Sequence, residues 1–199
     1  MNKNYLIIVF IIFFNEFFAQ KIDTIIWRKT YKLEWADFKS KEPLLNNFPI
    51  AESHIDFSID IIQITRNTMQ ISIYPVFHKD KSFKDNFEIL YFDSMSVKNA
   101  RKNILEHERL HFDIAELVCR RIRKKIIDSL KEFDCNDIQN FRYKWYTYAE
   151  NMSNKIQKKY DKEVYLDKTN KQNEWNIWVE EELLKMELYS KQTIIMKCL

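Results

Sequence analysis

The sequence predicts an α+β fold, in which an N-terminal antiparallel β-sheet is followed by three long helices. Between residues 53 and 77 apolar residues alternate with polar ones, and this period of two is typical of strands. After residue 94 apolar residues recur every three or four positions, which is typical of amphipathic helices. Because no internal repeat or low-complexity linker divides the chain, we expect one folded domain.

The first residues predict an export signal. Lys3 stands before an apolar run at 6–14, and Ala19 offers a small residue at a cleavage point. The run is too short to span a bilayer comfortably. We expect a signal peptide over 1–19, a domain over 20–199, and a secreted or periplasmic protein without stable membrane insertion after cleavage. An uncleaved anchor is the alternative, because Phe17 stands where signal peptidases prefer a small residue.

The first half of the domain predicts a short strand and a long β-hairpin. The short strand covers 24–27, and the hairpin has strands at 53–66 and 69–77. Asn67-Thr68 is the predicted turn, because asparagine tolerates turn conformations. In the first long strand, Ile55 and Ile59 lie on one face and Asp56 and Asp60 on the other. The hairpin therefore has one apolar face for a core.

Three helices are predicted in the second half. The first covers about 97–131 and has Ser94 or Ser96 as its N-cap. The second covers 138–159, and a loop at 160–167 follows it. The third begins near Lys171 and continues into the carboxyl terminus. Each carries an apolar stripe that should face the core. The stripe of the first helix includes Val118, Ile122 and Ile126, and that of the second includes Phe141 and Trp145.

The first helix carries His107-Glu108-x-x-His111, which contains two possible metal ligands and a carboxylate. Residues four apart share a helix face, so the two imidazoles can chelate one zinc ion. Glu108 can then act as general base on a zinc-activated water. A helical projection places both histidines on the inward-facing side. Because buried polar groups need partners, a metal would satisfy both rings.

The same projection excludes two neighbouring carboxylates as ligands of this metal. Asp113 and Glu116 lie on the opposite side of the helix from the histidines. We expect them at the surface, where Arg109 and Arg120 are their nearest cationic partners.

Three cysteines leave the disulfide pairing open. Cys119 and Cys135 would be roughly 20 Å apart along the helix, too far for a bond unless the helix ends early. Cys135 with Cys198 is possible in an exported protein. No cysteine spacing resembles a zinc knuckle.

The charge pattern argues against nucleic acid as a partner. The formal net charge is only +3. Lysine and arginine are interleaved with acidic residues along the predicted helices and form no basic stripe. We therefore expect no nucleic-acid partner. The expected partner, which follows from the His-Glu-x-x-His motif, is a peptide or protein substrate, and the expected state is a monomer.

Several segments together resemble a bacterial family of unknown function that is described as secreted zinc-dependent proteases of the zincin type. They are the export signal, Leu33-x-Trp35-x-Asp37-Phe38, the motif helix with its continuation to Glu116, and Tyr160-Asp161 with Gln172 and Trp175 downstream. The resemblance spans nearly the whole chain after the signal. It implies a zincin-like fold, His107 and His111 as zinc ligands, and Glu108 as the catalytic carboxylate.

The third zinc ligand is open, because a catalytic site needs three protein ligands and one free position. Members of the family carry a His-Gly pair after the Tyr-Asp, whereas this chain has neither residue there. The replacements that fit the family's position best are Asp161 and Glu163. Further candidates are Glu150, Asp167, His54 and His78.

These observations favour a secreted zinc-dependent peptidase with a single zinc ion. Tyr160, Tyr165 or a histidine could donate a hydrogen bond to the oxyanion. Two alternatives remain: a zincin-fold binding module that has lost catalysis, and a structural protein that buries two hydrogen-bonded histidines. Metal content separates the last of these from the others.

Overall fold

The computed structural model describes residues 23–42, 50–85, 95–129 and 134–198. The predicted signal peptide at 1–19 and the predicted cap Ser94 lie outside these ranges. Within them the fold is α+β, with an N-terminal antiparallel sheet followed by three helices, as the sequence predicts. Among the described residues, no helix is both long and apolar enough to cross a membrane.

Among the described residues, four strands form the main sheet and two form a small one. The strands in chain order are β1 (Thr24–Ile26), β2 (Ala51–Glu52), β3 (Ile55–Thr65), β4 (Thr68–His78), β5 (Phe83–Lys84) and β6 (Thr193–Lys197). In the main sheet β4 is central: it pairs with β3 on one side and with β1 and β6 on the other, all antiparallel. β2 and β5 pair with each other and form the small sheet. The predicted hairpin is confirmed, with its turn one residue earlier than expected.

The alternation in the hairpin determines which face of the sheet is covered. On β4, Met69, Ile71 and Ile73 are almost completely buried, and the residues between them are partly exposed. Successive strand residues point to opposite faces, so the buried set covers one side only. The helices pack on this side of the sheet.

The three helices are α1 (Met95–Ser129), α2 (Ile138–Leu166) and α3 (Lys168–Lys185). Short 3₁₀ helices cover Trp35–Asp37 and Glu187–Tyr189. The main core forms where Val118, Ile122 and Ile126 of α1 and Phe141 and Trp145 of α2 pack against the sheet. These residues belong to the predicted apolar stripes.

The structure overturns the predicted loop at 160–167 and excludes one of the two candidate N-caps of α1. The segment predicted as a loop at 160–167 continues α2 to Leu166, because it contains no glycine or proline and buries Tyr160 and Val164 against α1 and α3. Ser96 lies inside α1 and therefore cannot be its N-cap.

The carboxyl terminus also differs from the prediction. The third helix ends at Lys185, and the chain returns to the sheet as β6. Ile194 and Met196 of this strand are buried against the core. A short apolar run of this kind cannot be assigned to helix or strand by periodicity alone.

A buried ionic network of Glu116, Arg120 and Arg123 lies on the side of α1 that was predicted to face solvent. Glu116 Oε1 accepts hydrogen bonds from Arg120 Nε at 3.0 Å and from Arg123 Nη2 at 2.5 Å. Arg123 also donates to the carbonyl oxygens of Ile73 and Tyr189 at 2.5 Å and 2.7 Å. The pairing of Glu116 with Arg120 was predicted correctly, but its surface location was wrong, because the segment after α3 covers this face.

A disulfide joins Cys135 to Cys198, with a Cα–Cα distance of 5.4 Å. Cys119 is free and buried in the core. The bond ties the end of β6 to the connection between α1 and α2. The structure thus resolves the pairing that the sequence leaves open.

Removing this disulfide should destabilise the fold. The bond closes a loop of 63 residues, and the chain-entropy model assigns such a loop about 4 kcal/mol. Removing a native disulfide typically costs about 2–5 kcal/mol, so we expect Cys135→Ser/Cys198→Ser to lose about 2–4 kcal/mol of unfolding free energy. Denaturant titration in a Cys119→Ala background, which excludes thiol exchange, measures the loss. An unchanged midpoint would contradict this expectation.

Candidate metal site

The two motif histidines lie next to each other on α1. The His107 and His111 Nε2 atoms are 3.0 Å apart, and the ring planes are nearly perpendicular. Glu108 is buried, with 5% of its surface exposed. Each of these three residues offers a ligand atom, and the atoms lie within 4.8 Å of one another, so the group could hold a metal ion.

Asp161 of α2 supplies a further oxygen at this place. Its Oδ1 atom is 3.3 Å from His107 Nε2 and 3.1 Å from His111 Nε2. With the distance between the imidazoles, the three atoms form a nearly equilateral triangle. A tetrahedral ion with bonds of about 2.0–2.1 Å has ligand atoms about 3.3–3.4 Å apart. The spacing of the three donors is therefore close to what such an ion requires.

The electrostatics of the triangle favour positive charge. Burial acts to lower the pKa of His111, but the hydrogen bond with Asp161 and the charges of Glu108 and Asp161 outweigh it and raise that pKa to about 9. Burial acts to raise the pKa of Asp161, but the hydrogen bonds with both histidines bring it well below its ordinary value. A proton and a metal ion would compete for the same position.

Residues on α2 and α3 surround the imidazoles. Gln157 lies one turn before Asp161 and makes two hydrogen bonds to His111. Tyr160 stacks on His107 with a centroid distance of 4.6 Å and an interplanar angle of 20°. Its hydroxyl donates to Gln172 Oε1 at 2.8 Å. Sequence analysis did not single out Gln157, because Asp161 was expected on a loop; the two residues share a helix face only because α2 continues to Leu166.

The other candidate third ligands have different partners. Glu163 accepts a hydrogen bond from Trp175 Nε1 at 2.9 Å, and Asp167 caps α3 through the backbone N–H of Asn170. Glu150 lies near Tyr146, whose pKa is raised by burial and by the hydrogen bond to Asp56, with a smaller contribution from Glu150. Of the carboxylates favoured from the sequence, Asp161 is thus the one that contacts both imidazoles.

Asp113 and Glu116, which were excluded as ligands, both face away from the site; Glu116 belongs to the buried ionic network. Asp113 accepts hydrogen bonds from Trp27 Nε1 at 2.7 Å and from Lys32 Nζ at 3.2 Å. The expected partner Arg109 instead donates to the backbone carbonyl of Leu33. Helical geometry therefore predicted the direction of Asp113 correctly and its partner incorrectly.

The two tyrosines proposed as oxyanion donors differ in access. Tyr160 is fully buried, and its hydroxyl already donates its one hydrogen to Gln172, so it has none left for an oxyanion. Tyr165 lies one turn beyond Asp161 on α2 and is 80% exposed. Long side chains on a helix generally lean toward its N-terminus, and Asp161 lies one turn before Tyr165 in that direction.

His54 and His78, which were possible third ligands, pair with each other where the central strand β4 ends. Their rings form an edge-to-face contact with a centroid distance of 5.2 Å. Burial and the charge of Lys81 lower the pKa of both rings, although Asp56 and Asp80 act in the opposite direction, as does Glu52 for His54.

This pair should make folding stability depend on pH. Both rings have a lower pKa in the folded state than the unfolded value of about 6.5, so the unfolded chain binds more protons below that pH. The stability that the neutral pair contributes is fully present above pH about 6.5. It is lost as the pH falls through the lowered pKa values of the two rings in the folded state. We expect His54→Gln/His78→Gln to flatten the fall in melting temperature between pH 7 and 5. Parallel curves for variant and wild type would contradict this.

The fold and the site define an α+β protein with a candidate metal centre between two adjacent helices. Comparisons with protein-family models, with curated proteins and with solved structures found no match. The argument about function therefore rests on the site itself.

Proposed function

We propose that this protein is an exported zinc-dependent peptidase of the zincin type, with His107, His111 and Asp161 as the zinc ligands. The observation that carries the proposal is the triangle of their donor atoms, with edges of 3.0, 3.1 and 3.3 Å, beside the buried Glu108. The donor atoms come from two helices, and their separations match those of ligands around a single metal ion. Helix packing alone does not require this arrangement.

Zinc is the metal that this donor set supports best. Two imidazoles and one carboxylate are the ligands of a well-known class of zinc peptidases, which leaves one position for water or substrate. The side chain of Asp161 is half exposed, so the triangle is accessible from solvent. Zinc bound there would polarise a substrate carbonyl and make water acidic enough to lose a proton near neutral pH.

Glu108 is the group that moves protons in this proposal. It follows His107 directly in the motif, and its carboxylate lies within 4.8 Å of the ligand nitrogens. It accepts a proton from the attacking water and returns it to the amine that leaves when the peptide bond breaks. Tyr165, which is largely exposed one turn beyond Asp161, is the tyrosine that we assign to donate a hydrogen bond to the carbonyl oxygen.

The substrate in this proposal is a peptide or protein outside the cytoplasm, and the enzyme acts as a monomer. The disulfide between Cys135 and Cys198 supports export, because such bonds persist in oxidising compartments. It agrees with the export signal predicted over residues 1–19.

Hydrolysis of a broad peptide library tests this function. Protein loaded with zinc should cleave peptides, a chelator should stop cleavage, and added zinc should restore it. If protein that carries one zinc ion per chain cleaves nothing in the library, the peptidase proposal is wrong and a binding role takes its place.

A further inference from the structure

The side chain of Gln157 is bonded twice to a single residue, His111. Its Oε1 atom lies 2.6 Å from His111 Nδ1, and its Nε2 atom donates to the His111 backbone carbonyl at 3.0 Å. Gln157 lies on α2 one turn before Asp161, so one helix face carries both groups. The amide therefore contacts both the ring and the backbone of the same residue.

These two bonds determine where the proton of the neutral imidazole lies. The carbonyl oxygen of His111 accepts only, so the NH₂ group of Gln157 must face it and the amide oxygen must face Nδ1. An amide oxygen accepts only as well, so Nδ1 carries the hydrogen. The neutral ring then has its lone pair on Nε2, the atom that faces His107 and Asp161.

We propose that Gln157 is a positioning residue that holds His111 in the tautomer and orientation needed to bind the metal through Nε2. This inference rests on the proposed function, because it concerns the same zinc site. Partners of this kind fix the ring of a metal-bound histidine, and their loss typically weakens metal binding about 10- to 100-fold. The partner here is a neutral amide, where a carboxylate is a common choice.

The two histidines are held by different means. The His107 ring stacks on Tyr160, whose hydroxyl is bound to Gln172 of α3. The His111 ring is held by the directional hydrogen bond from Nδ1 to Gln157. Ring stacking restricts the plane of His107 but does not select a tautomer, whereas the amide selects one for His111. Because Asp161 and Gln157 lie on one face of α2, the packing of α2 on α1 determines both the position of Asp161 and the orientation of the His111 ring.

Three variants of the full protein separate positioning from simple packing. Gln157→Leu removes both hydrogen bonds at similar volume, and Gln157→Glu keeps an acceptor for Nδ1 while losing the donor to the backbone. Asn154→Leu, at an exposed position one turn earlier on α2, is the matched control. Zinc dissociation constants come from competition with a chromophoric chelator. The visible spectrum of cobalt-substituted protein reports the ligand geometry.

We expect Gln157→Leu to raise the zinc dissociation constant about 10- to 100-fold and to change the cobalt spectrum. Gln157→Glu should restore affinity to within a few-fold of wild type, and Asn154→Leu should leave it unchanged. The inference is overturned if Gln157→Leu binds zinc as wild type does, or if Gln157→Glu is as weak as Gln157→Leu. A zinc-loaded wild type that hydrolyses no peptide would refute the proposed function only, because the affinity ratios would still test Gln157.

Discussion

Replacing Glu108 with glutamine is expected to lower kcat for peptide hydrolysis by about 10²- to 10⁴-fold, the range that general acid–base catalysis contributes. Glutamine has nearly the same shape but cannot accept the proton of the attacking water. His107, His111 and Asp161 are untouched, so the zinc content should stay at the wild-type value. The measurement is kcat on a cleaved peptide, with zinc determined on the same samples.

Glu106→Gln is the matched control for this experiment. Glu106 lies on the same helix, and its carboxylate is 3.8 Å from Lys102 in a surface ion pair. Such pairs contribute little, so this variant should keep wild-type kcat and stability. If Glu108→Gln retains more than a tenth of the wild-type kcat, Glu108 is not the general base and the proposed chemistry must be revised.

The second large effect concerns stability and is expected from Arg123→Met. Arg123 is completely buried and donates to Glu116 and to the backbone carbonyls of Ile73 and Tyr189. Removing it leaves a buried carboxylate without one of its cations, and breaking a buried pair in this way costs about 3–5 kcal/mol. For a protein of this size that corresponds to a melting temperature lower by roughly 6–20 °C.

Two further variants test whether the network is the cause. Arg121→Met removes a neighbouring arginine whose partner Glu182 is 2.7 Å away and partly exposed, so it should lose less than about 1 kcal/mol. Glu116→Leu combined with Arg123→Met removes both buried charges, and its loss should be smaller than the sum of the single losses. Additive losses would mean that the two side chains are not energetically coupled.

The sequence predicted the parts of the fold that depend on local periodicity. Alternation located the hairpin, and the spacing of Val118, Ile122 and Ile126 located the inward face of α1. The same periodicity failed for Glu116 and Arg120, which are buried, because a helical projection shows which face is polar but not whether another segment covers it. Here the chain after α3 does so, through the bond of Arg123 to Tyr189.

The sequence also predicted most of the candidate site, but it left the third position open between two residues. The motif spacing gave His107, Glu108 and His111, and Asp161 was one of the two favoured third positions, although it was expected on a loop. The choice between Asp161 and Glu163 could not be made from spacing, since both lie near the same place in the chain. It depends on the orientation of α2: Asp161 points toward α1, while Glu163 points toward Trp175 of α3.

The most direct test of the account is a zinc titration of purified, metal-free protein, with metal analysis after removal of loosely bound ions. The account predicts one tightly held zinc ion per chain in the wild type. It predicts at least a 100-fold weaker affinity in each of His107→Ala, His111→Ala and Asp161→Ala, because each removes one of three ligands. A wild type that takes up no zinc, or an Asp161→Ala variant that holds it as tightly as wild type, would contradict the assignment of this triangle as the metal centre.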